Sequence, residues 1–266
     1  MNIRYKMSEE VNRSNATIEE VRTKTSQENI KQLSKETRRG YVAKDEKEFK
    51  GKAVEILRKA GEELVFLLDR GYPIKPATTF IGNHYMLSER QRLALARGYA
   101  SSSDCQLRKK KEVTLREAEG QVVHIDGFNT IITLEVALSG SLLLLCKDGL
   151  IRDLAGLRGT YRIIDKTKEA IWVLLTRLKE ARVASTVFYL DAPVSNSGRL
   201  KTLIGSLAEE CRLETEIFVM NEVDRTLQKK SFVVTSDAIV LNQCHSFINL
   251  NRELIGTHDF LVELGE

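Results

Sequence analysis

The feature that most constrains this chain is a short apolar strand that breaks into an acid. Val122-Val123-His124-Ile125 is followed at once by Asp126-Gly127-Phe128-Asn129. β-Branched apolar residues in succession suit a strand buried on both faces. Asp126, Gly127 and Asn129 are turn formers. A carboxylate therefore stands at the C-terminal tip of an interior strand, on the rim where open α/β sheets collect ligands. Taken alone, an Asp here has a plainer role as the N cap of the next helix. Its meaning depends on what else reaches the same rim.

The sequence around it alternates. Thr186–Leu190, Glu216–Met220 and Phe232–Thr235 read as strands, and Thr167–Arg182 and Gly198–Cys211 as amphipathic helices. Thr130–Leu138 fits helix or strand, and Phe247–Leu250 fits a last edge strand. This alternation predicts an α/β fold with a central, mostly parallel sheet over residues 119–266. Residues 46–118 read as a small all-helical domain. Phe49, Ile56, Leu57, Leu64 and Leu68 share one helix face that Gly71 and Pro73 end, and Ser88 with Gln91 makes a capping box. Arg90, Arg92 and Arg97 follow on that capped helix, as a phosphate-tracking face or a solvated one. The basic run Arg108–Lys111 reads as a linker. Residues 1–45 are polar and bury too little to order themselves, so a mobile tail is expected, with a transient helix around 18–33.

Composition narrows the setting. A chain of 266 residues with 42% hydrophobic content can build one large core or two modest ones. A net charge of +4 is compatible with nucleic acid as a partner. Four cysteines with no C-x-x-C spacing give no zinc signature and fit reduced thiols in the cytoplasm. Apolar runs such as Leu142–Cys146 are far too short to span a bilayer, so no membrane role is expected.

Four predicted strands end in polar positions. Asp126 closes the first and Asp191 the second. The third leads through Asn221 and Glu222 to Asp224, and the fourth ends at Thr235-Ser236-Asp237. Parallel strands place all these tips on one rim. Carboxylates gathered there repel and need a cation or a shared proton. Hard oxygen ligands indicate Mg or Mn rather than zinc. Such an ion polarises a phosphodiester and generates hydroxide from bound water. The predicted chemistry is metal-assisted phosphodiester hydrolysis.

These motifs resemble those of PIN and NYN nuclease domains. The strand leading into Asp126-Gly127-Phe128-Asn129 looks like their first motif, and Phe232-Val233-Val234-Thr235-Ser236-Asp237 like their last. Asp224 resembles the acid on the helix before the last strand, and Asp191 the acid after the middle strand. The resemblance spans about residues 120–250 and implies a three-layer PIN-like domain. It implies metal ligands at Asp126, Asp191, Asp224 and Asp237, with Asn129 and Thr235 orienting ligands or water and Ser236 meeting a phosphate. The whole chain also resembles an uncharacterised archaeal and bacterial family in which a domain of unknown function precedes a PIN-like domain. The residues carrying that likeness are Leu68-Asp69-Arg70-Gly71-Tyr72-Pro73, Ile81-Gly82-Asn83-His84-Tyr85 and Leu190 to Ser197.

PIN domains also place a helical acid near 146–162; Asp153 or Glu135 could supply it, and Asp153 is preferred because arginines such as Arg152 could hold the substrate's phosphates. Asp148, before Gly149, reads as a turn residue. Ser195, Asn196, Ser197 and Arg199 fall at a helix N-terminus, where a phosphate could sit. RNA is favoured over DNA as substrate, and the N-terminal helices are a candidate surface for a protein partner or a second copy. A haloacid dehalogenase-type phosphatase would need an acid where Phe128 stands. The principal rival is a non-catalytic RNA-binding or regulatory module with a PIN-like shell, its acids serving as caps and turns.

Overall fold

The computed structural model describes residues 37–156 and 159–265. The expected tail up to residue 36, with its helix over 18–33, lies outside them. Residues 37–45 are docked. Arg39 pairs with the buried Glu135 at 2.8 Å, and Arg38 donates to the Ser139 carbonyl at 3.1 Å.

Five helices come first: α1 (Asp45–Glu48), α2 (Lys52–Leu68), α3 (Ile74–His84), α4 (Glu89–Gly98) and α5 (Ser102–Lys111). The capping box of Ser88 and Gln91 starts α4 as expected. The basic run Arg108–Lys111 is the last turn of α5, not a linker. Cations there complement the C-terminal end of the helix dipole.

The helices do not close a core of their own. Leu57, Leu64, Ile81 and Leu95 pack against Leu142, Leu144, Leu154, Val262 and Leu264. The last five belong to a small sheet and its flanks. That sheet has the order β4 (Ile151–Asp153), β3 (Leu143–Leu145), β9 (Leu261–Glu263). The apolar run Leu142–Cys146 is explained by this double burial: Leu143 faces the large α/β core, while Leu142 and Leu144 face the helices. Side chains alternate along a strand, so only an apolar run can serve two cores.

The main sheet has six strands in the order β1 (Glu112–Val113), β8 (Phe247–Ile248), β7 (Val233–Val234), β2 (Val122–Asp126), β5 (Ser185–Asp191), β6 (Thr215–Met220). Every pairing in it is parallel. Helices α6 (Gly127–Leu138), α7 (Asp165–Glu180) and α8 (Ser197–Cys211) contribute to the larger core, with Val123, Ile125, Phe188 and Leu190 beneath them. On the opposite face α9 (Val223–Leu227) and α10 (Ala238–Gln243) cover Val187, Tyr189 and Val233. The short helix α11 (Leu250–Ile255) returns to the larger core. The α/β fold with a parallel central sheet and preceding helices is as expected.

One open reading is settled and one expectation is corrected. Thr130–Leu138, open between helix and strand, lies in α6. Phe247 and Ile248 form an interior strand between β1 and β7, and the edges are β1 and β6. β1 thus brings residues 112–113, ahead of the expected boundary at 119, into the main sheet.

Candidate functional site

β2 is flanked by β5 and β7, with Asp126 in register with Tyr189 and Ile125 with Val234. The three C-terminal tips therefore share one rim. One residue past its last β7 pairing, Asp126 meets Thr235, whose Oγ1 donates to Asp126 Oδ2 at 2.8 Å. Asn129 Oδ1 accepts from the Ser236 amide at 2.8 Å and from Ser236 Oγ at 2.9 Å. The first and last motifs are thus laced together side chain to side chain.

Gly127 makes this approach possible. A Cβ there would lie 2.4 Å from Leu190 Cδ2 and 3.1 Å from the Tyr189 carbonyl. The start of α6 presses on β5 with no room for a side chain. Asp126 also has the plain role of an N cap, since its Oδ1 accepts the Asn129 amide at 3.4 Å.

Burial makes Asp126 more than a cap. Its carboxyl is pushed up to about 7, first by desolvation and then by the charges of Asp237, Asp224 and Asp191, against the hydrogen bond from Thr235. Desolvation followed by Asp237 and Asp191 raises Asp224, and desolvation raises Asp191. The four acids of four strand ends therefore share one field. Asp237 also caps α10, its Oδ1 accepting the amides of Ile239 at 2.8 Å and Val240 at 3.1 Å. His124, beside Asp126, is pushed down to about 4 by burial and then by Lys230, and its Nδ1 lies 3.1 Å from the Tyr189 hydroxyl. It is neutral at pH 7, with a single ring N–H.

Carboxylate, amide and hydroxyl oxygens suit a hard divalent ion in kind. They do not converge as placed: among the described residues no group of three or more His, Cys, Asp or Glu side chains could hold a metal ion.

The remaining expected residues are engaged in other contacts. Asp153 lies on β4, its Oδ2 accepting from Thr133 Oγ1 at 2.9 Å and its Oδ1 from the Ala155 amide at 2.8 Å. It is a structural brace between the small sheet and α6. Glu135 is wholly buried and holds Arg39 and the Tyr161 hydroxyl, so it faces the core and not the rim. Arg152 is corrected as a phosphate ligand. Its guanidinium is buried and committed to the Ser236 carbonyl, the Arg97 carbonyl and both oxygens of Asp148. The cradle expected at 195–199 is instead a clasp: Ser195 Oγ donates to the Gly159 carbonyl at 3.0 Å and Asn196 Nδ2 to the Tyr161 carbonyl at 2.7 Å. Neither Ser195 nor Asn196 caps α8 with its side chain there, because Asn196, the N cap, makes no such bond. Ser197 is buried and Arg199 exposed.

Asp148 sits in the turn expected of it, where its Oδ1 accepts the Leu150 amide at 3.3 Å, and it has a second role. It is buried and bridges Arg152 and Arg108, the latter at 2.6 Å. Burial pushes its carboxyl up, but the two guanidiniums outweigh that and hold it below the usual range. The acid, two cations and the Ser236 carbonyl form one chain from α5 to the rim. Sequence gave a weak signal, an i,i+4 Asp–Arg spacing, on a hairpin where that rule for helices does not apply.

A cleft of about 1110 Å³ opens between the helical unit and this rim. Asn129, Ser236 and Asp237 line one side, and Tyr72, Leu93 and Arg97 another.

Two family models match successive stretches of the chain. Residues 56–111 match a family described as "Protein of unknown function (DUF434)". The chain is 36% identical over 185 residues to "Uncharacterized protein MJ0935" of Methanocaldococcus jannaschii, covering 70% of this chain and 88% of that protein. No solved structure matches. Residues 115–253, which hold the rim and all four of its acids, match the family described as "Domain of unknown function (DUF5616)", and to that family this chain belongs.

Proposed function

We propose that this chain hydrolyses phosphodiester bonds, RNA before DNA, at the acid rim of its parallel sheet, as a PIN- or NYN-like, metal-dependent nuclease. The observation that carries the reading is Asp126: a carboxyl 5% exposed, raised to about 7 and coupled to three acids from three other strand ends. Caps and turns do not need such a field, and a site for a divalent cation does. Asp126, Asp191, Asp224 and Asp237 would hold Mg or Mn, which when bound supplies Lewis acidity and a nucleophilic hydroxide. Thr235 and Asn129 fix the orientation of Asp126 and of the Ser236 loop. Ser236 presents a hydroxyl where a phosphate oxygen could meet it. A cytoplasmic setting fits the four free cysteines, and among the described residues no helix is long and apolar enough to cross a membrane.

A second reading, RNA binding without cleavage, draws on two observations. The acids do not converge on a metal group, and Asp237 is engaged as a helix cap. The experiment is cleavage of labelled RNA and DNA in Mg or Mn by the wild type, Asp126→Asn and Asp237→Asn. Loss beyond the ~10–100-fold typical of outer-shell changes is expected for both variants. Cleavage that survives both substitutions sinks the acid site, and binding with no cleavage favours the second reading.

A further inference from the structure

We propose that the cleft between the helical unit and the rim is a binding site for single-stranded nucleic acid, with Arg97 on a phosphate and Tyr72 against a base. This rests on the rim being where a phosphodiester is placed, and it assigns the helical unit to substrate binding.

Four arginines line the cleft, and the structure sorts them. Arg90 is spent on Asp45 and on the carbonyls of Leu154 and Gly40. Arg108 is spent on Asn242 and Asp148, and Arg152 on Asp148 and Ser236. Arg97 is different. Its side chain is 38% exposed, and its contacts among the described residues, the Asp153 carbonyl and Asp153 Oδ1 at 3.7 Å, both use Nη1. Nε and Nη2 are left for a ligand. A guanidinium with two donors to spare suits a phosphate.

The ligand's chemistry follows from the rest of the wall. Tyr72, 56% exposed in the turn after α2, offers an aromatic face, and Leu93 and Ile132 add apolar surface. Aromatic faces beside a cation are how unpaired strands are held, base by stacking and backbone by charge. Asp104, Asp153 and Asp237 also line the cleft, so it is no general basic patch. Among the described arginines that line it, Arg97 is the one with donors to spare for a phosphate. The volume is close to the upper range of small-ligand pockets, ~300–1,000 Å³, which suits a few nucleotides. Asn129, Ser236 and Asp237 make the cleft continuous with the acid rim, so a strand lying in it passes the acids.

The test is fluorescence anisotropy with a labelled oligouridylate of about 12 nucleotides, within the ~4–16 that such sites cover. Binding is measured without divalent ions, and cleavage separately with Mg or Mn. Arg97→Gln should weaken binding about three- to tenfold and reduce the slope of log K against log salt by about 0.7, the share of one phosphate contact on a single strand. Arg97→Lys should restore most of that slope. Tyr72→Ala should weaken binding about fivefold or more with little change in slope, and Tyr72→Phe should not. Thermal midpoints within a few degrees of the wild type show that the variants fold; Tyr72, on the surface, is the safer of the two positions. Wild-type affinity in both Arg97→Gln and Tyr72→Ala overturns the proposal, as does a wild type that binds no single strand. Cleavage by a wild type whose binding ignores Arg97 and Tyr72 removes the cleft and leaves the nuclease. Binding that needs both residues, with no cleavage in either metal, removes the nuclease and leaves the cleft.

Discussion

Arg152 Nε donates to the backbone carbonyl of Ser236 at 2.7 Å, and so ties the loop that leads into Asp237 to the small sheet. Asp148 holds that guanidinium with both oxygens and takes Arg108 of α5 as well. All three side chains are nearly inaccessible. Asp148→Ala would leave two buried cations without a counter-charge, which typically costs about 3–5 kcal/mol. Urea unfolding should show a fall of that size, whereas Asp148→Asn should fall less, keeping one hydrogen-bond acceptor. A loss below about 1 kcal/mol for Asp148→Ala, in the range of exposed pairs, would refute the bridging role.

Asp126 makes an opposite, pH-dependent contribution. Its folded carboxyl titrates at about 7 against an unfolded value of 3.8. Between those values the folded state holds a proton that the unfolded state has released. The stability Asp126 allows is therefore complete below about pH 4 and is lost as pH rises through about 7. The shift of about three pK units corresponds to at most ~4 kcal/mol. Asp126→Asn should match the wild type near pH 4 and be the more stable protein at pH 8, by about 2–4 kcal/mol in denaturant titrations. A stabilised but inactive variant is the expected signature of a functional carboxyl. Equal stability of the two proteins at pH 8 would mean that Asp126 is only a cap.

The sheet was legible because its strands are apolar and end abruptly. Val122–Asp126 and Thr186–Asp191 carry the pattern of strands buried on both faces, and parallel pairing alone put Asp126, Asp191, Asp224 and Asp237 on one rim. Phe247–Ile248 was misplaced because two residues carry no periodicity, and strand order depends on contacts distant in sequence. Arg152 illustrates the deeper limit. An arginine near predicted acids reads as a ligand for substrate, but whether its donors are free depends on Asp148 and Ser236, the latter 84 positions away. The same applies to Ser195 and Asn196, whose partners lie in the 159–161 loop. In the sequence Arg97 is one of three arginines on α4 with equal claims, and only the packing of α4 on the small sheet distinguishes it.

Gly127 tests whether the rim depends on close packing and not on the acids alone. With Leu190 Cδ2 at 2.4 Å and the Tyr189 carbonyl at 3.1 Å from a Cβ, alanine has to push α6 away from β5. Leu190 can rotate, but the carbonyl belongs to β5 and cannot yield cheaply. Gly127→Ala should cost about 1–3 kcal/mol, as overpacking does. It should also draw Asn129 Oδ1 away from Ser236 and so reduce the proposed RNA cleavage, with none of the four acids removed. Unchanged stability with unchanged activity would show that β5 and α6 separate freely at this point.

The proposed metal binding gives the most direct check on the rim, because it would be linked to the proton on Asp126. A carboxyl that titrates at about 7 is mostly protonated at pH 5.5 and mostly charged at pH 8. An ion that needs the charged form must displace that proton at low pH and finds it already gone at high pH. Mn should therefore raise the thermal midpoint more at pH 8 than at pH 5.5. The stabilisation follows RT ln(1 + [L]/Kd), about 2.7 kcal/mol at a hundredfold excess over Kd. Asp126→Asn should abolish the effect at both pH values. Because Asp153 is braced by Thr133 and Ala155 and stands apart from the four coupled acids, Asp153→Asn should lower the midpoint yet keep the shift with Mn. If Asp153→Asn loses the shift and Asp126→Asn retains it, the metal belongs to the small sheet and the rim assignment is wrong.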